Sequence, residues 1–181
     1  MEERLIKTYH TETKNKVSGA LWRLLNNDIL DNITITMICQ EAGVGRRSFY
    51  RHFQSKRDVV HYSFAEKNNE FSDFCSGPKT LEAMIGKSLQ FYKKQKQYLR
   101  LIQKNGLLSE FHQAMNSSPL FTSTLDVYME RSSLPGFLRE YVANFITATH
   151  TSLLMTWANN NFKEDWRDIT SFELSMFAAM K

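Results

Sequence analysis

"TITMICQEAGVGRRSFYRHFQSKRDVV", residues 34–60, decides the fold of the N-terminal part of this chain. Thr34 is well placed to cap a short helix over 35–41, because its hydroxyl can accept a hydrogen bond from an amide two or three residues on. That helix ends at Gly43, since a residue without Cβ can turn the chain through a left-handed conformation. A second short helix then begins at Arg46. Two short helices joined by a tight turn that contains glycine are typical of a helix-turn-helix.

Longer amphipathic helices flank this pair. Upstream, from Glu3 to Asn27, apolar residues recur at the three-and-four spacing of a helix with one apolar face. That face supplies the surface on which the two short helices pack. Downstream, the second short helix stops near Phe53, Ser55 is a further N-cap candidate, and a fourth helix is predicted from Lys56 to about Cys75.

The helical rhythm continues beyond Thr80 to the end of the chain. Pro119 starts one segment, and Pro135 fits the first turn of a helix that runs to about Asn160. Asp165 can cap a last helix. With only seven glycines and three prolines to interrupt it, the sequence predicts an all-α protein of about nine helices.

Residues 43–56 hold four Lys and Arg side chains and no acidic residue. Arg46 and Arg47 fall in the first turn of a helix, where a positive charge interacts unfavourably with the helix dipole. Their presence there does not stabilise the fold. The first turn of a recognition helix, however, meets base edges in the major groove, and arginine pairs bidentately with guanine. A solvated face is the ordinary role of a basic run, but the capped helix and the glycine turn before it favour DNA recognition.

Three aromatic rings share the same segment. Phe49 and Phe53 are four residues apart and can pack inward, while Tyr50 faces elsewhere and can give its hydroxyl to a phosphate. Lys56 is expected at the first turn of the fourth helix, where the amides already attract an anion. His52 can contact a phosphate too, or cap a turn.

Composition excludes several classes of protein. Of 181 residues, 42% are hydrophobic and 23% charged, which is near the globular average, and the net charge of +4 permits an anionic partner. Without an apolar leader or an apolar run of eighteen residues, we expect a cytoplasmic protein that does not enter a membrane. Neither metal-ligand spacing, nor a phosphate loop, nor a nucleophile beside a base is recognisable, so no metal, cofactor or enzyme activity is expected.

The segment 34–60 resembles the DNA-binding signature of the TetR family of bacterial transcription regulators. The positions that carry the resemblance are Thr34, Ile38, Ala42, Gly43, Val44, Ser48, Tyr50, His52, Phe53 and Lys56. The resemblance implies a DNA-binding module from Glu3 to about Cys75, followed by a variable part for ligand binding and dimerisation. By position, it implies phosphate contacts from Thr34, Tyr50, His52 and Lys56, and base contacts from Arg46, Arg47 and Ser48.

Two positions depart from the family pattern. A hydroxyl residue is common where Gly45 stands, and a small residue where Arg47 stands. Glycine is an acceptable cap. Arg47 adds bulk and charge at the groove, so the operator is expected to be particular to this protein.

The family also implies an organisation for the whole chain. We expect a helix-turn-helix domain over 1–54, a connecting fourth helix over 55–78 and a regulatory domain over 79–181. The apolar stripes of 135–160 and 166–181 are either dimer contacts, as in the family, or ordinary core.

A homodimer implies a palindromic operator in double-stranded DNA. The expected function is a dimeric repressor released by a small-molecule effector. The stretch "WANNNF", residues 157–162, resembles a shorter branch of the family that includes regulators near dihydroxyacetone kinase operons. That branch implies an alternative, which is a coactivator of the same fold that works through a protein partner without direct DNA binding.

Overall fold

A computed structural model describes residues 2–75, 80–132 and 134–178, with side chains from His10 onward. These residues form ten α-helices and one 3-10 turn and contain no strand, which confirms the all-α prediction of about nine helices. The elements are α1 Glu2–Asn27, α2 Ile35–Ala42, α3 Arg46–His52, α4 Lys56–Phe74, α5 Leu81–Lys93, α6 Lys96–Lys104, α7 Leu108–Asn116, α8 Pro119–Arg131, the 3-10 turn Gly136–Leu138, α9 Arg139–Asn159 and α10 Trp166–Ala178.

The chain divides into two compact units, Met1–Glu66 and Lys67–Lys181. In the first unit α1 packs against both α2 and α3. The apolar stripe predicted for α1 faces this contact, since Val17 and Leu21 are fully buried together with Ile38 of α2. Burial of such side chains stabilises the short helices, which are too short to persist alone.

The second unit contains the end of α4, from Lys67, and helices α5 to α10. Helix α5 packs against α8, α9 and α10, and α9 also packs against α6 and α7. Large side chains with almost no exposed surface fill the space between these helices, among them Ile85, Leu89, Tyr92, Phe111 and Trp157. These side chains form the core of the unit.

The start of α9 differs from the prediction. The sequence predicts a helix from Pro135, but the structure has Pro135 in an extended conformation with a ψ of 140°. Gly136–Leu138 then form a 3-10 turn, in which the Leu138 amide donates to the Pro135 carbonyl at 3.0 Å, and α9 begins only at Arg139. Glycine is a poor helix former, so a three-residue turn replaces the first helical turn.

The other predicted helix ends in this unit are confirmed. The Ser118 side chain caps α8, with Pro119 in its first turn. Asn161 adopts the left-handed conformation with a φ of 58°. Asp165 caps α10 by accepting from the Arg167 amide at 2.8 Å, and this bond lowers the pKa of the Asp165 carboxyl.

Candidate nucleic-acid interface

The turn between α2 and α3 has the geometry of a helix-turn-helix. The Thr34 hydroxyl accepts from the Met37 amide at 3.2 Å and so caps α2. Gly43 ends α2 in the left-handed conformation, with φ 65° and ψ 35°. Gly45 is the N-cap of α3 in an extended conformation, with no side-chain cap. The predicted cap and turn are therefore confirmed, and they fix the direction in which α3 leaves α2.

Helix α3 has one buried aromatic face. Phe49 is fully buried and Phe53, which follows the helix, is 3% exposed; their ring centroids lie 5.7 Å apart. Tyr50 is 49% exposed and lies on another side of the helix. The predicted division of the aromatic residues is confirmed, and the Tyr50 hydroxyl is accessible to a partner.

The first turn of α3 presents two cations. Arg46 and Arg47 are exposed, and neither forms an ion pair with a carboxylate in the part of the chain that the structure describes. Ser48 is half-buried, and its amide donates to the Gly45 carbonyl at 2.9 Å. The helix therefore offers two unneutralised guanidinium groups in a row.

Lys56, in the first turn of α4, has a structural contact that the sequence did not predict. Its Nζ donates to the carbonyl oxygens of Leu30 at 2.5 Å, Asp31 at 3.0 Å and Ile33 at 3.0 Å. These carbonyls lie in the loop between α1 and α2. An ammonium has three donors, so the loop uses all of them.

His52 is half-buried against α1. Its ring meets the ring of His10 edge-on, with centroids 4.8 Å apart, and its Nε2 is buried without a hydrogen-bond partner among the described residues. Burial lowers the pKa of His52, and the positive charges of His10, Lys14 and Arg51 lower it further. At neutral pH the imidazole is therefore uncharged, and a phosphate contact would rest on a ring N–H rather than on an ion pair.

The N-terminus of α4 is closed by a capping box. The Asp58 carboxylate accepts from the Gln54 and Ser55 amides at 2.7 and 3.1 Å, and the Ser55 hydroxyl accepts from the Asp58 amide at 3.2 Å. The bond from Gln54 is the largest cause of the lowered pKa of Asp58. The predicted cap at Ser55 is confirmed. The role of Asp58 was missed, although the spacing of Ser55 and Asp58 is the signal of a capping box.

Metal-binding groups and membrane-spanning helices are two further features that bear on function. The described residues contain no group of three or more His, Cys, Asp or Glu side chains placed to hold a metal ion. Within the same residues, no helix is both long and apolar enough to span a membrane.

A capped helix, a glycine turn and a second helix with two exposed arginines define a helix-turn-helix protein. Residues 20–62 match the family model described as "Bacterial regulatory proteins, tetR family". This match includes α2, α3 and the start of α4.

Curated relatives are described as HTH-type transcriptional regulators. An HTH-type transcriptional regulator of Staphylococcus aureus strain bovine RF122 / ET3-1 is 24% identical over 125 residues, which cover 65% of this chain and 68% of the relative. Its counterpart in Staphylococcus aureus strain USA300 is 23% identical over the same shares. Residues 20–62 therefore carry a helix-turn-helix of the tetR type, and the chain is similar to HTH-type transcriptional regulators.

Two solved structures share the fold over most of this chain. The dihydroxyacetone kinase operon activator DhaS superposes with a TM-score of 0.58 at 14% identity, covering 93% of this chain and 95% of DhaS. A tetR-family transcriptional regulator from Streptomyces coelicolor superposes with a TM-score of 0.56 at 17% identity, covering 93% and 80% of the two chains. The likeness to DhaS agrees in fold with the resemblance of residues 157–162 to that branch.

Proposed function

We propose that the protein is a dimeric repressor that binds a palindromic operator through α3 and is released by a small molecule. In this proposal Arg46, Arg47 and Ser48 contact bases, and Thr34, Tyr50, His52 and Lys56 are the phosphate contacts. The observation that carries the proposal is the pair of exposed arginines without ion pairs in the first turn of α3.

The two arginines are unfavourable for folding where they lie. They sit at the positive end of a helix dipole, and neither is neutralised by a carboxylate among the described residues. Arg23 of α1, by contrast, forms an ion pair with Glu41 at 2.5 Å. Free guanidinium groups at the start of a recognition helix suit guanine O6 and N7.

A second copy of the chain is the partner that the last helices favour. Phe137 of the 3-10 turn and Tyr141 and Phe145 of α9 recur every four residues and are 76%, 72% and 42% exposed. Phe172 and Met176 of α10 are 53% and 39% exposed. A run of exposed apolar side chains on two adjacent helices is typical of a protein interface. TetR-family regulators typically bind DNA as dimers, so we assign this face, within 135–160 and 166–181, to the homodimer.

Release of the operator by a ligand depends on the spacing of the two recognition helices in the dimer. Two recognition helices must lie about one DNA turn apart, roughly 34 to 36 Å, to enter successive major grooves. A ligand that favours a differently spaced dimer lowers the affinity for the operator by its differential binding to the two states. The residues from about 79 onward would form the regulatory domain, after the DNA-binding domain and the connecting α4.

Binding to the intergenic DNA beside the protein's own gene tests the base contacts. Arg46→Ala and Arg47→Ala are each expected to weaken specific binding by about 1 to 3 kcal/mol, with a smaller loss on scrambled DNA of the same length. Fluorescence anisotropy over a salt series measures both affinities. Arg100→Ala removes an exposed arginine from α6 and serves as the control that should leave both unchanged.

Equal losses on specific and scrambled DNA would assign the arginines to the backbone instead of the bases. Absence of any specific complex at low salt would favour the coactivator that acts through a protein partner. A reporter gene under the same intergenic DNA decides the direction of control, since deletion of a repressor raises expression and deletion of an activator lowers it.

A further inference from the structure

Three polar side chains from three helices meet in the interior of the second unit. His150 of α9 lies between Ser88 of α5 and Glu173 of α10. Its Nε2 is 2.7 Å from the Ser88 Oγ, and its Nδ1 is 3.1 and 3.0 Å from the two carboxyl oxygens of Glu173. Ser88 is 2% exposed, His150 5% and Glu173 0%. We call these three residues the polar cluster, and it has almost no access to solvent.

The hydrogen bonds of the polar cluster join different helices. Other buried hydroxyl groups of the unit are bonded inside their own helix, as Thr124 donates to the Leu120 carbonyl at 2.8 Å and Thr170 to the Trp166 carbonyl at 2.8 Å. A bond within a helix is unaffected when the helix moves as a body. A bond between helices is kept only when both helices hold their relative positions.

Stability alone does not account for the polar cluster. Burial of a carboxyl group and an imidazole carries a desolvation cost, and well-packed apolar side chains of similar volume are often as stable or more so. Apolar surroundings are available, since Ile146 and Leu154 are buried one turn either side of His150. Removal of a single partner, however, leaves the others buried without a hydrogen bond. The cluster therefore penalises every arrangement of the three helices that separates its members.

Helices α9 and α10 run antiparallel, and the polar cluster lies between two further contacts of this pair. At the connecting loop, the Trp157 Nε1 donates to the Glu164 carbonyl at 3.1 Å. At the other end, the ring centroids of Phe145 and Phe177 lie 5.8 Å apart. The contact at the loop is with a residue outside α10, and the ring contact is apolar and non-directional. The polar cluster supplies a directional contact to α10 itself.

Helix α10 also approaches α5 closely beside the polar cluster. The Trp166 ring lies over Gly86, where an added Cβ would be 3.0 Å from the Trp166 Cζ3. Gly86 is two residues before Ser88 on α5, and Trp166 is about two turns before Glu173 on α10. Helix α10 is therefore held at two points, by shape at Gly86 and by hydrogen bonds at the polar cluster.

We infer that the polar cluster sets the register of α10, which means its position along α9 and its rotation about its own axis. A shift of one helical turn, about 5.4 Å, moves the Glu173 carboxyl group out of reach of His150 and leaves buried polar groups unpaired. Apolar contacts tolerate such a shift better, because they are not directional. The imidazole can bond to both of its partners whether it is neutral or protonated, so the register does not depend on where the protons lie.

The register of α10 decides which apolar side chains face the solvent. Phe172 and Met176 are exposed, whereas Glu173, next to Phe172, is buried. A rotation of α10 by one residue position, about 100°, would turn Phe172 and Met176 away from their present side. His150 and Glu173 are thus positioning residues for the face that α9 and α10 offer to a second copy. This step rests on the proposed function, whereas the setting of the register does not.

Serine, histidine and a carboxyl group also occur together in hydrolases. Ser88 lies inside α5, however, where the backbone amides are bonded within the helix and cannot stabilise an oxyanion. The arrangement therefore suits a link between helices.

An apolar triple variant separates register from stability. Ser88→Ala, His150→Leu and Glu173→Leu together remove every polar group of the cluster from the full-length protein. We expect the midpoint of thermal unfolding to equal or exceed that of the native protein. We also expect α10 to take up more than one arrangement, because the directional contact is gone.

The three tryptophans report the arrangement of α10 through NMR of their indole N–H groups. Trp157 and Trp166 lie at contacts of α10 and its loop, and Trp22 lies in the first unit and serves as the internal reference. The native protein should give one signal for each indole. In the triple variant the signals of Trp157 and Trp166 should split or broaden, while the signal of Trp22 stays single.

Single substitutions on α10 provide a second measurement. Glu173→Leu leaves His150 without one partner and should lower the midpoint of thermal unfolding by about 10 °C. Glu173→Gln should keep one signal for each indole, because an amide offers both a donor and an acceptor to Nδ1. Thr170→Val, one turn before Glu173, removes a buried hydroxyl that is bonded within α10, and as the control it should also keep single signals.

A triple variant with one signal for each tryptophan overturns the inference. A triple variant that is unfolded by circular dichroism overturns it too, since the cluster would then be a source of stability. Sedimentation equilibrium measures dimer formation separately. Split signals with dimerisation about tenfold weaker support both the register and the face assigned to the dimer. Split signals with unchanged dimerisation support the register and contradict only that face.

Discussion

Two roles are assigned to Lys56, a phosphate contact and a structural contact with the loop before α2. The family resemblance assigns it to a phosphate, while the structure places its three donors on the carbonyls of the loop before α2. Hydrogen bonds in which the donor is charged are among the stronger ones. A phosphate contact would require Lys56 to exchange at least one of these partners.

Lys56→Ala separates the two roles. We expect it to lower the free energy of unfolding by about 1.5 to 3 kcal/mol, because the loop carbonyls lose a charged donor. Urea denaturation measures this loss. Lys16→Ala, which breaks an exposed ion pair with Glu12 in the same unit, is the control and should change stability by less than about 0.5 kcal/mol. Unchanged stability together with a flatter salt slope of DNA binding would assign Lys56 to the phosphate alone.

His52 makes the first unit sensitive to pH. Burial lowers its pKa in the folded state, so the unfolded chain binds the proton more readily. Between the ordinary pKa of histidine and the lowered one, stability therefore rises with pH and falls on acidification. We expect His52→Gln to reduce this slope in urea unfolding measured from pH 5 to 7.5.

Operator binding is expected to depend on pH in the opposite direction to folding stability at His52. A phosphate beside His52 favours the imidazolium, so operator binding should take up a proton and strengthen as the pH falls from 7.5 to 6. His61→Gln, at an exposed position of α4, is the control that keeps both pH dependences. If His52→Gln retains the pH dependence of DNA binding, His52 does not touch a phosphate.

At the scale of the element, the start of α4 depends on one carboxylate. Asp58 accepts from two amides before the helix, and its pKa is lowered mainly by the Gln54 amide. Its contribution is present above the pKa of the unfolded carboxyl and is lost as the pH falls through the folded pKa. We expect Asp58→Ala to cost about 1 kcal/mol at neutral pH and much less near pH 2, measured by thermal unfolding. Asp73→Ala, exposed on the same helix, should have little effect at either pH.

The elements that the sequence predicts well are those with local causes. Thr34, Gly43 and Ser55 act on amides and carbonyls within a few residues, so their side chains are sufficient to place the ends of α2, α3 and α4. The start of α9 was missed because Pro135 is compatible with a helix and with the extended conformation it adopts. The choice depends on neighbours, among them Asp126 of α8, which binds Arg139 at 2.5 Å.

For the whole molecule, contacts between distant residues set the limit of sequence analysis. His150 looked isolated in the sequence, yet Ser88 lies 62 positions before it and Glu173 lies 23 positions after it. Polar residues at core-facing positions of α9 and α10 were the available signal. Only packing reveals that they face one another. His10 and Lys56 follow the same rule, since their partners lie on other elements.

The exposed apolar face of α9 and α10 makes the last prediction one of assembly. Tyr141→Glu with Phe172→Glu places two charges on this face, so burying it against a second copy becomes unfavourable. We expect sedimentation equilibrium to give a dimer for the native protein and a monomer for the double variant. The monomer should bind a palindromic operator about a hundredfold more weakly, because its two half-sites are no longer engaged together.

Leu108→Glu is the matched control for this variant. Leu108 is also exposed, at 42%, but it lies on α7 and outside the face. It should leave both the mass and the operator affinity unchanged. A double variant that stays dimeric would place the interface elsewhere on the chain. If the double variant is a monomer and still binds the operator with full affinity, the native protein dimerises through this face but does not need the dimer to bind DNA.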